Sequence, residues 1–329
     1  MLRYFIKRLL WLIPVMIGVI TIVFAITVLM PGDPAASLLD QNATQEQIDE
    51  VHARLGLDKP VVVRWLDYVV GIFTEFDFGT SYFTQQPVRD EVLAKLPYTL
   101  ILAVSSTALG FLIGIPLGIW SSLKQYTAVD AAVLFLSVLF VSMPGFWLAM
   151  LMISLFSVEL GWLPSFGVQK PLGWVMPIVV ATIGSMAGNI RITRSSMLEV
   201  MRQDYIRTAR AKGQKESTIV RRHMMRNAMI PVATSVGSGL GNALGGNMTI
   251  EVVFSLPGIG NYVVNAISTK NYPGMLGGIL VTAIMFTVVN LLVDIAYVII
   301  DPRLKTQITG KKANRRKFKK LLQEQGGIA

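Results

Sequence analysis

The chain contains no cysteine, only two histidines and few charges, and each scarcity removes a class of function. Without cysteine there is no disulfide framework, no thiolate nucleophile and no sulfur-ligated metal, and His52 and His223 stand too far apart in sequence to suggest a histidine metal site. Charged residues make up 15% of the 329 positions against 53% hydrophobic ones, a balance too apolar for a soluble protein of this length. Also missing are G-x-x-x-x-G-K-[ST], H-E-x-x-H and G-x-S-x-G, and with them a Walker-type nucleotide loop, a zinc-protease helix and a nucleophile elbow. What the sequence has in quantity is long apolar runs, so it reads as an all-α polytopic membrane protein.

Six segments are long enough to cross about 30 Å of hydrocarbon: 9–30, 98–120, 132–157, 173–190, 229–250 and 275–300, the fourth and fifth diluted by Gly and Ser. The first, behind "MLRYFIKRLL", also has the outline of a secretory leader, but its apolar run exceeds the usual leader core of about 7–15 residues. Of the 30 Lys and Arg, 23 fall in the N-terminal tail, 121–131, 191–228 and the segment after 300; the other 7 fall in the alternate segments. The positive-inside rule then places both termini and the 191–228 loop in the cytoplasm. The net charge of +10 is thereby explained by topology and implies no nucleic acid.

The expected organisation is a cytoplasmic tail and first span at 1–30, an external cap at 31–97, a five-span core at 98–300 containing the loop 191–228, and a basic tail at 301–329. The cap carries 11 acidic residues and the turn signals "PGDP" and "GLDKP", which suggest a small folded unit. Gly110, Gly114 and Gly118 in the second span, and Gly237, Gly241 and Gly245 in the fifth, have the spacing that lets helix backbones approach closely in lipid. "GSGLGNALGG" is no phosphate loop, because an apolar span leaves no room for the strand and helix that such a loop joins. Pro116, Pro144 and Pro231 are expected kinks or helix ends.

The densest basic segment lies in the middle of the chain, "DYIRTARAKGQKESTIVRRHMMRNAMIP". Leu198, Met201, Tyr205, Thr208 and Ala209 recur at helical spacing, which predicts a short helix over about 197–212; Gly213 stands where a left-handed helix end would sit, and helical spacing resumes through Ile219, Val220, His223 and Met224. Three readings fit: a solvated loop that only sets topology, a contact for anionic lipid, or a rigid helix-turn-helix that docks on a cytosolic partner. The glycine punctuation and the apolar stripe favour the third over a disordered charge run.

"DYIRTARAKG" followed by "RHMMRNAMIPV" resembles the cytoplasmic loop of ATP-binding cassette importer permeases, in the oligopeptide and dipeptide branch and its B-type subunit. The resemblance covers nearly the whole chain, through "MPGDPA", "FDFGTSYFTQQPV", "LPYTLILA", "MPGFWLA", "FSLPGIGNYVVNAI" and "NLLVDIAYVIIDPR". It implies a type I importer permease fold in a bacterial or archaeal plasma membrane. A second, C-type permease would be its partner, with two cytosolic ATPases that bind ATP and Mg, an extracytoplasmic substrate-binding protein, and peptides as substrate. Relatives also handle nickel or metal chelates. The resemblance implies that Arg207, Thr208, Ala209, Arg210, Ala211, Lys212, Gly213, Lys215, Glu216 and Ser217 form the ATPase-coupling element, with the turn around Gly213 to Ser217 seated in an ATPase groove. The family's loop motif opens Glu-Ala-Ala, where this chain has Arg207, Thr208 and Ala209, so the acidic position has no counterpart here.

Asp294, with Asn290 one turn earlier, is an ionisable group inside a span and so a functional suspect. Arg191 or Arg194 could pair with it structurally; an intramembrane enzyme would need a second carboxylate that the spans do not supply. The Tyr262, Val263, Ala266 and Ile267 pattern suggests a short interfacial helix, either meeting a substrate-delivery protein or packing on the cap. "KKANRRKFKK", Lys311 to Lys320, fits anionic lipid or a solvated end.

Overall fold

The computed structural model describes the backbone of residues 2–35, 38–39 and 43–300, and within that range a few side chains, Asp294 among them, lie outside the description. The basic run from Lys311 to Lys320 lies outside the described residues as well. The described chain is helical, with one isolated bridge between Thr80 and Pro87. The elements are α1 (Leu2–Leu29), α2 (Gln45–Leu55), α3 (Val61–Glu75), α4 (Val88–Leu123), α5 (Ala128–Ser142), α6 (Gly145–Met152), α7 (Val175–Met201), α8 (Asp204–Ala211), α9 (Glu216–Thr218), α10 (Met225–Gly246), α11 (Met248–Val253), α12 (Ile259–Ser268) and α13 (Tyr272–Ile300).

Four stretches are long and apolar enough to cross a membrane: Leu10–Leu29, Val88–Leu123, Pro171–Met201 and Tyr272–Val293. The expected third span is broken: α5 and the stretch Gly145–Glu159 meet at 98°. Met143 is extended at the break because the ring of Pro144 excludes the helical conformation from the residue before it. Counted as one, this pair is a fifth span. The expected span 229–250 is a helix, α10, but falls short by composition because Gly and Ser dilute it. Pro144 stands at a helix end, whereas Pro116 and Pro231 sit inside continuous helices.

The glycine stripe of α4 sets the main packing. A Cβ on Gly114 would stand 2.9 Å from both the Asn189 Cβ and the Met186 carbonyl oxygen, and one on Gly118 2.6 Å from the Thr193 Cβ and 2.7 Å from the Ile190 carbonyl oxygen. Gly110 would collide with Ser185 in the same way. Backbones therefore touch along this seam, the close approach that small residues permit where no hydrophobic effect joins helices. Positions on the two helices rise together, so α4 and α7 run parallel. A parallel pair needs the chain to return between them, which is the task of the bent α5 and α6.

The remaining long helices alternate. α13 runs parallel to α4, since Gly277 meets Val88 and Val289 clusters with Ala103. α1 is antiparallel to α13: Val23 and Phe24 pack with Met275 and Leu276, Met16 and Ile20 with Leu280 and Val281. Met224 and Ala228 pack with Met197, while residues beyond Thr234 face Gly184 and Gly188, so α10 runs antiparallel to α7. In the fifth-span glycine set, Gly237 and Gly241 are buried, Gly241 against Phe286 and Asn290, whereas Gly245 is open.

Candidate functional site: the loop between α7 and α10

The long helix α7 continues past its apolar part to Met201, and the chain then breaks at Arg202 and Gln203. The single helix expected over 197–212 is thus two, because Gln203 is extended and Asp204 begins a new first turn, where a carboxylate favours helix initiation. Gly213 has φ +72 and closes α8, its N–H donating to the Arg210 carbonyl at 2.9 Å. An L-residue is strained in this left-handed conformation, which is why glycine stands there. The chain then enters α9, a wide π-type turn over Ile219–Met224, and α10.

The apolar face of this unit is turned inward. Met197, Ile206, Ala209, Ile219, Met224 and Ala228 form one buried cluster, so α8 is pinned to the ends of α7 and α10. This corrects the expected stripe, in which Tyr205 and Thr208 belonged to the apolar face: both are exposed, and Ile206 takes the inward place. The register differs because the break at Gln203 restarts the helix and α7's spacing does not carry through. Of the ten candidate coupling residues, only Ala209 is buried; Arg207, Thr208, Arg210, Ala211, Lys212, Gly213, Lys215, Glu216 and Ser217 are all exposed.

The exposed face is held in shape by polar links. Arg210 donates two hydrogen bonds to Glu216, Nε to Oε2 at 3.2 Å and Nη2 to Oε1 at 2.7 Å, closing the turn from α8 to α9. That bidentate bond, opposed by slight desolvation, holds the Glu216 carboxyl below its ordinary range and the Arg210 guanidinium above its own. Planar fork-to-carboxylate pairing fixes orientation as well as distance. His223 Nε2 meets Gln214 Oε1 at 2.9 Å, and the Asn227 amide donates to the Tyr205 hydroxyl at 3.0 Å. Arg207 lies 3.8 Å from Asp204. The turn's carboxylate therefore comes from its second limb, while the first limb has Arg207 at the acidic position of the family pattern. The result is a cation-rich projection whose turn is closed by the Arg210 to Glu216 fork and whose inner face is packed on the ends of α7 and α10.

Two polar devices that the sequence reading missed brace the helices behind this unit. Arg194, on α7, donates Nε and Nη2 to the two oxygens of Asp130 at 2.7 Å each, and Asp130 also accepts from Ser121 Oγ at 2.5 Å and from the Tyr126 amide at 3.2 Å. Arg194, one of the two partners the sequence offered for Asp294, thus commits its fork to Asp130, one of the residues that start α5. The second device is Glu251, 1% exposed, which accepts from Thr99 Oγ1 at 2.7 Å and from the Asn261 amide at 3.0 Å in the first turn of α12. Both carboxylates sit near turns and not at any motif spacing, so only their burial marks them.

The remaining expected positions are less connected. Asn290 Nδ2 donates to the Phe286 carbonyl at 2.9 Å and its side chain abuts Gly241, a packing role; the Asp294 side chain lies outside the described residues. The expected helix after "SLPG" is α12, with Val263 and Ala266 buried and Ile267 exposed. Tyr262 donates its hydroxyl to Glu91 Oε2 at 2.7 Å and Lys95 stands 5.5 Å from its ring, so α12 packs on the start of α4.

This architecture is that of a transport permease. The family model "Binding-protein-dependent transport system inner membrane component" matches residues 114–306, and the model for the N-terminal part of the same membrane components matches residues 1–103. The chain belongs to this family of non-catalytic membrane transport subunits. It is 39% identical over 333 residues to a dipeptide transport system permease protein of Alkalihalophilus pseudofirmus, covering 93% of this chain and all of that one. It is 36% identical over 316 residues to an oligopeptide transport system permease protein of Bacillus subtilis, covering 93% of this chain and 100% of the relative. It is also 39% identical over 305 residues to a glutathione transport system permease protein of Pectobacterium atrosepticum, with coverage of 93% and 99%. Among solved structures, an inward-facing MetNI methionine ABC transporter superposes with a TM-score of 0.55 at 21% identity, over 66% of this chain and 99% of the other, which supports the fold.

Proposed function

We propose that this chain is one of two membrane subunits of an ATP-driven peptide importer. The observation that carries the reading is the exposed face from Arg207 to Ser217, held rigid by the Arg210 to Glu216 fork and anchored through Ile206 to α7 and α10. A projection of that kind has a use only if something seats on it, and its occupant is one of two cytosolic ATPases, which bind ATP and Mg in place of this chain. ATP-driven closure of the ATPases tilts α8, and α8 carries the long helices to which it is pinned, so that a path between this chain and a similar C-type permease opens alternately to the two sides. The names of the three permease relatives support peptides as cargo.

The topology follows. Six crossings, with α10 as the fifth and the bent α5 and α6 as the third, agree with the directions in which α1, α4, α7, α10 and α13 pack. The cation distribution then puts the termini and the coupling loop in the cytoplasm of a bacterial or archaeal cell, and residues 31–97 outside, facing an extracytoplasmic substrate-binding protein.

Co-expression with the second permease, the ATPases and the binding protein tests this. The tagged chain extracted in mild detergent should bring the ATPases with it, and the reconstituted complex should import peptides in an ATP-dependent manner. Gly213→Pro should lose the ATPases while keeping the second permease. Absence of any ATPase from the intact wild-type preparation would sink the reading.

A further inference from the structure

Helix α3 lies beside the far end of the first span. A groove of about 450 Å³ runs between them, walled by Phe24, Ala25, Val28 and Leu29 of α1 and by Val62 and Trp65 of α3, and its exposed surface is entirely apolar. The Trp65 indole N–H donates to Thr21 Oγ1 at 3.2 Å and so sets the spacing of the two helices. The α1 wall runs from Thr21 to Leu29, all within the span Leu10–Leu29, and at 1.5 Å per residue covers about 12 Å along its axis. The groove therefore opens at hydrocarbon depth, where a soluble protein does not reach.

The outward side of α3 continues that apolar surface. Val62, Leu66, Val70 and Phe73 stand at i, i+4, i+8 and i+11, on one helix face, and all four are between 44% and 66% exposed. The polar residues of α3 lie elsewhere: Arg64 and Asp67 line a separate pocket of about 260 Å³, together with Lys59, Asp77 and Tyr272. Phe24 is the wall that pocket and groove share. Lys59 is held by Asp67 at 3.2 Å, whereas Arg64 has no carboxylate partner among the described residues and its guanidinium carbon lies 5.8 Å from the centre of the Phe24 ring. An apolar groove in a span wall thus ends beside an uncommitted cation.

We propose that α3 is embedded in the outer leaflet and that the groove between α1 and α3 holds an acyl chain of a phospholipid, whose phosphate pairs with Arg64. The proposal rests on the topology given above, which puts this end of α1 outside, and not on the cargo. An amphipathic helix with Trp and Arg at its polar boundary is the form that lies in a membrane interface. A helix of the second permease fits the stripe less well. Helices in lipid meet through small residues, as α4 does at Gly114 and Gly118, and the α3 stripe offers only branched and aromatic side chains.

The test uses the absence of cysteine, since Leu66→Cys and Glu50→Cys each give this chain a single thiol, the first on the stripe and the second on the exposed side of α2. In right-side-out vesicles holding the full transporter, a membrane-impermeant maleimide added outside should label Glu50→Cys readily and Leu66→Cys about tenfold more slowly, because a thiol in lipid does not ionise. A phospholipid carrying a diazirine in its acyl chain should crosslink to α1 and α3, and Ala25→Trp, which fills the groove, should lose most of that product. Unlabelled phospholipid should compete about fivefold better than diacylglycerol with the same chains, a preference that Arg64→Gln removes. Labelling of Leu66→Cys as fast as Glu50→Cys would put α3 in water and overturn the proposal. Protection without crosslinking would mean that another protein covers the stripe, and crosslinking untouched by Ala25→Trp that the chain lies elsewhere; either result overturns it. An unchanged preference in Arg64→Gln removes the phosphate assignment and with it the proposed site. If Glu50→Cys is labelled only after the vesicles are permeabilised, the topology itself falls and takes the lipid site with it.

Discussion

Helix α7 uses glycine neighbours in opposite ways on its two sides. Toward α4 it meets Gly110, Gly114 and Gly118 so closely that no side chain fits, while toward α10 its own Gly184 and Gly188 look into open space. The same residue type therefore produces a sealed seam on one side and a gap on the other. The seam also continues downward into charge, since Arg194 follows Thr193 and binds Asp130. One side of α7 is thus fixed to a static wall, and the other closes only at its foot, where Met197 meets the buried residues of α8 and α10.

The difference can be broken most severely at the foot of the seam. Asp130→Ala leaves the Arg194 guanidinium, 19% exposed, without its carboxylate, and stripping one partner from a buried pair costs about 3–5 kcal/mol. The expected result is a large loss of folded protein in detergent by thermal unfolding, and Arg194→Met in the Asp130→Ala background should recover part of it.

Next in size is a direct test of seam against gap. Gly118→Leu forces side-chain atoms into the Ile190 backbone and should cost about 1–3 kcal/mol or prevent assembly of the fold. Gly184→Ala, which meets nothing, should be neutral or stabilising by up to about 1 kcal/mol through helix propensity. Equal melting shifts for the two variants would erase the contrast.

Smaller effects are expected at the coupling turn. Gly213→Ala imposes a left-handed conformation on an L-residue at a cost of about 1 kcal/mol, read as weaker retention of the ATPases with little change in the melting of the remainder.

The smallest effect is the Arg210 to Glu216 fork, whose partners are 42% and 54% exposed and which solvent screening limits to a few tenths of a kcal/mol. The folded Glu216 carboxyl lies below its ordinary 4.5, so its contribution is present above that value and disappears as pH falls through the lowered one. Wild type and Glu216→Gln should therefore differ slightly at pH 7 in thermal stability and converge as acidification carries the pH well below the carboxyl's ordinary 4.5.

Legible in the sequence were the membrane class, the glycine spacing of α4, the position of the basic helix-turn-helix between α7 and α10 and the left-handed turn at Gly213. Each of these rests on local or periodic signals: hydropathy over about twenty residues, small residues every fourth position, cations between spans. Tertiary structure alone decided the rest. The break of α8 from α7 at Gln203, which turned Ile206 inward in place of Tyr205 and Thr208, depends on where α10 returns and offers Met224 and Ala228 to cover it. The 98° bend at Pro144 was legible as a breaker but not as an angle, since proline forbids a straight helix without dictating the new direction. Pairing Arg194 with Asp130, and burying Glu251 of α11 against Thr99 and the first turn of α12, joins residues 64 positions apart in one case and helices distant in sequence in the other. Periodicity carries no information about such partners, because a charge in a span records only that some partner is required, and which one it finds is settled by the packing of helices around it.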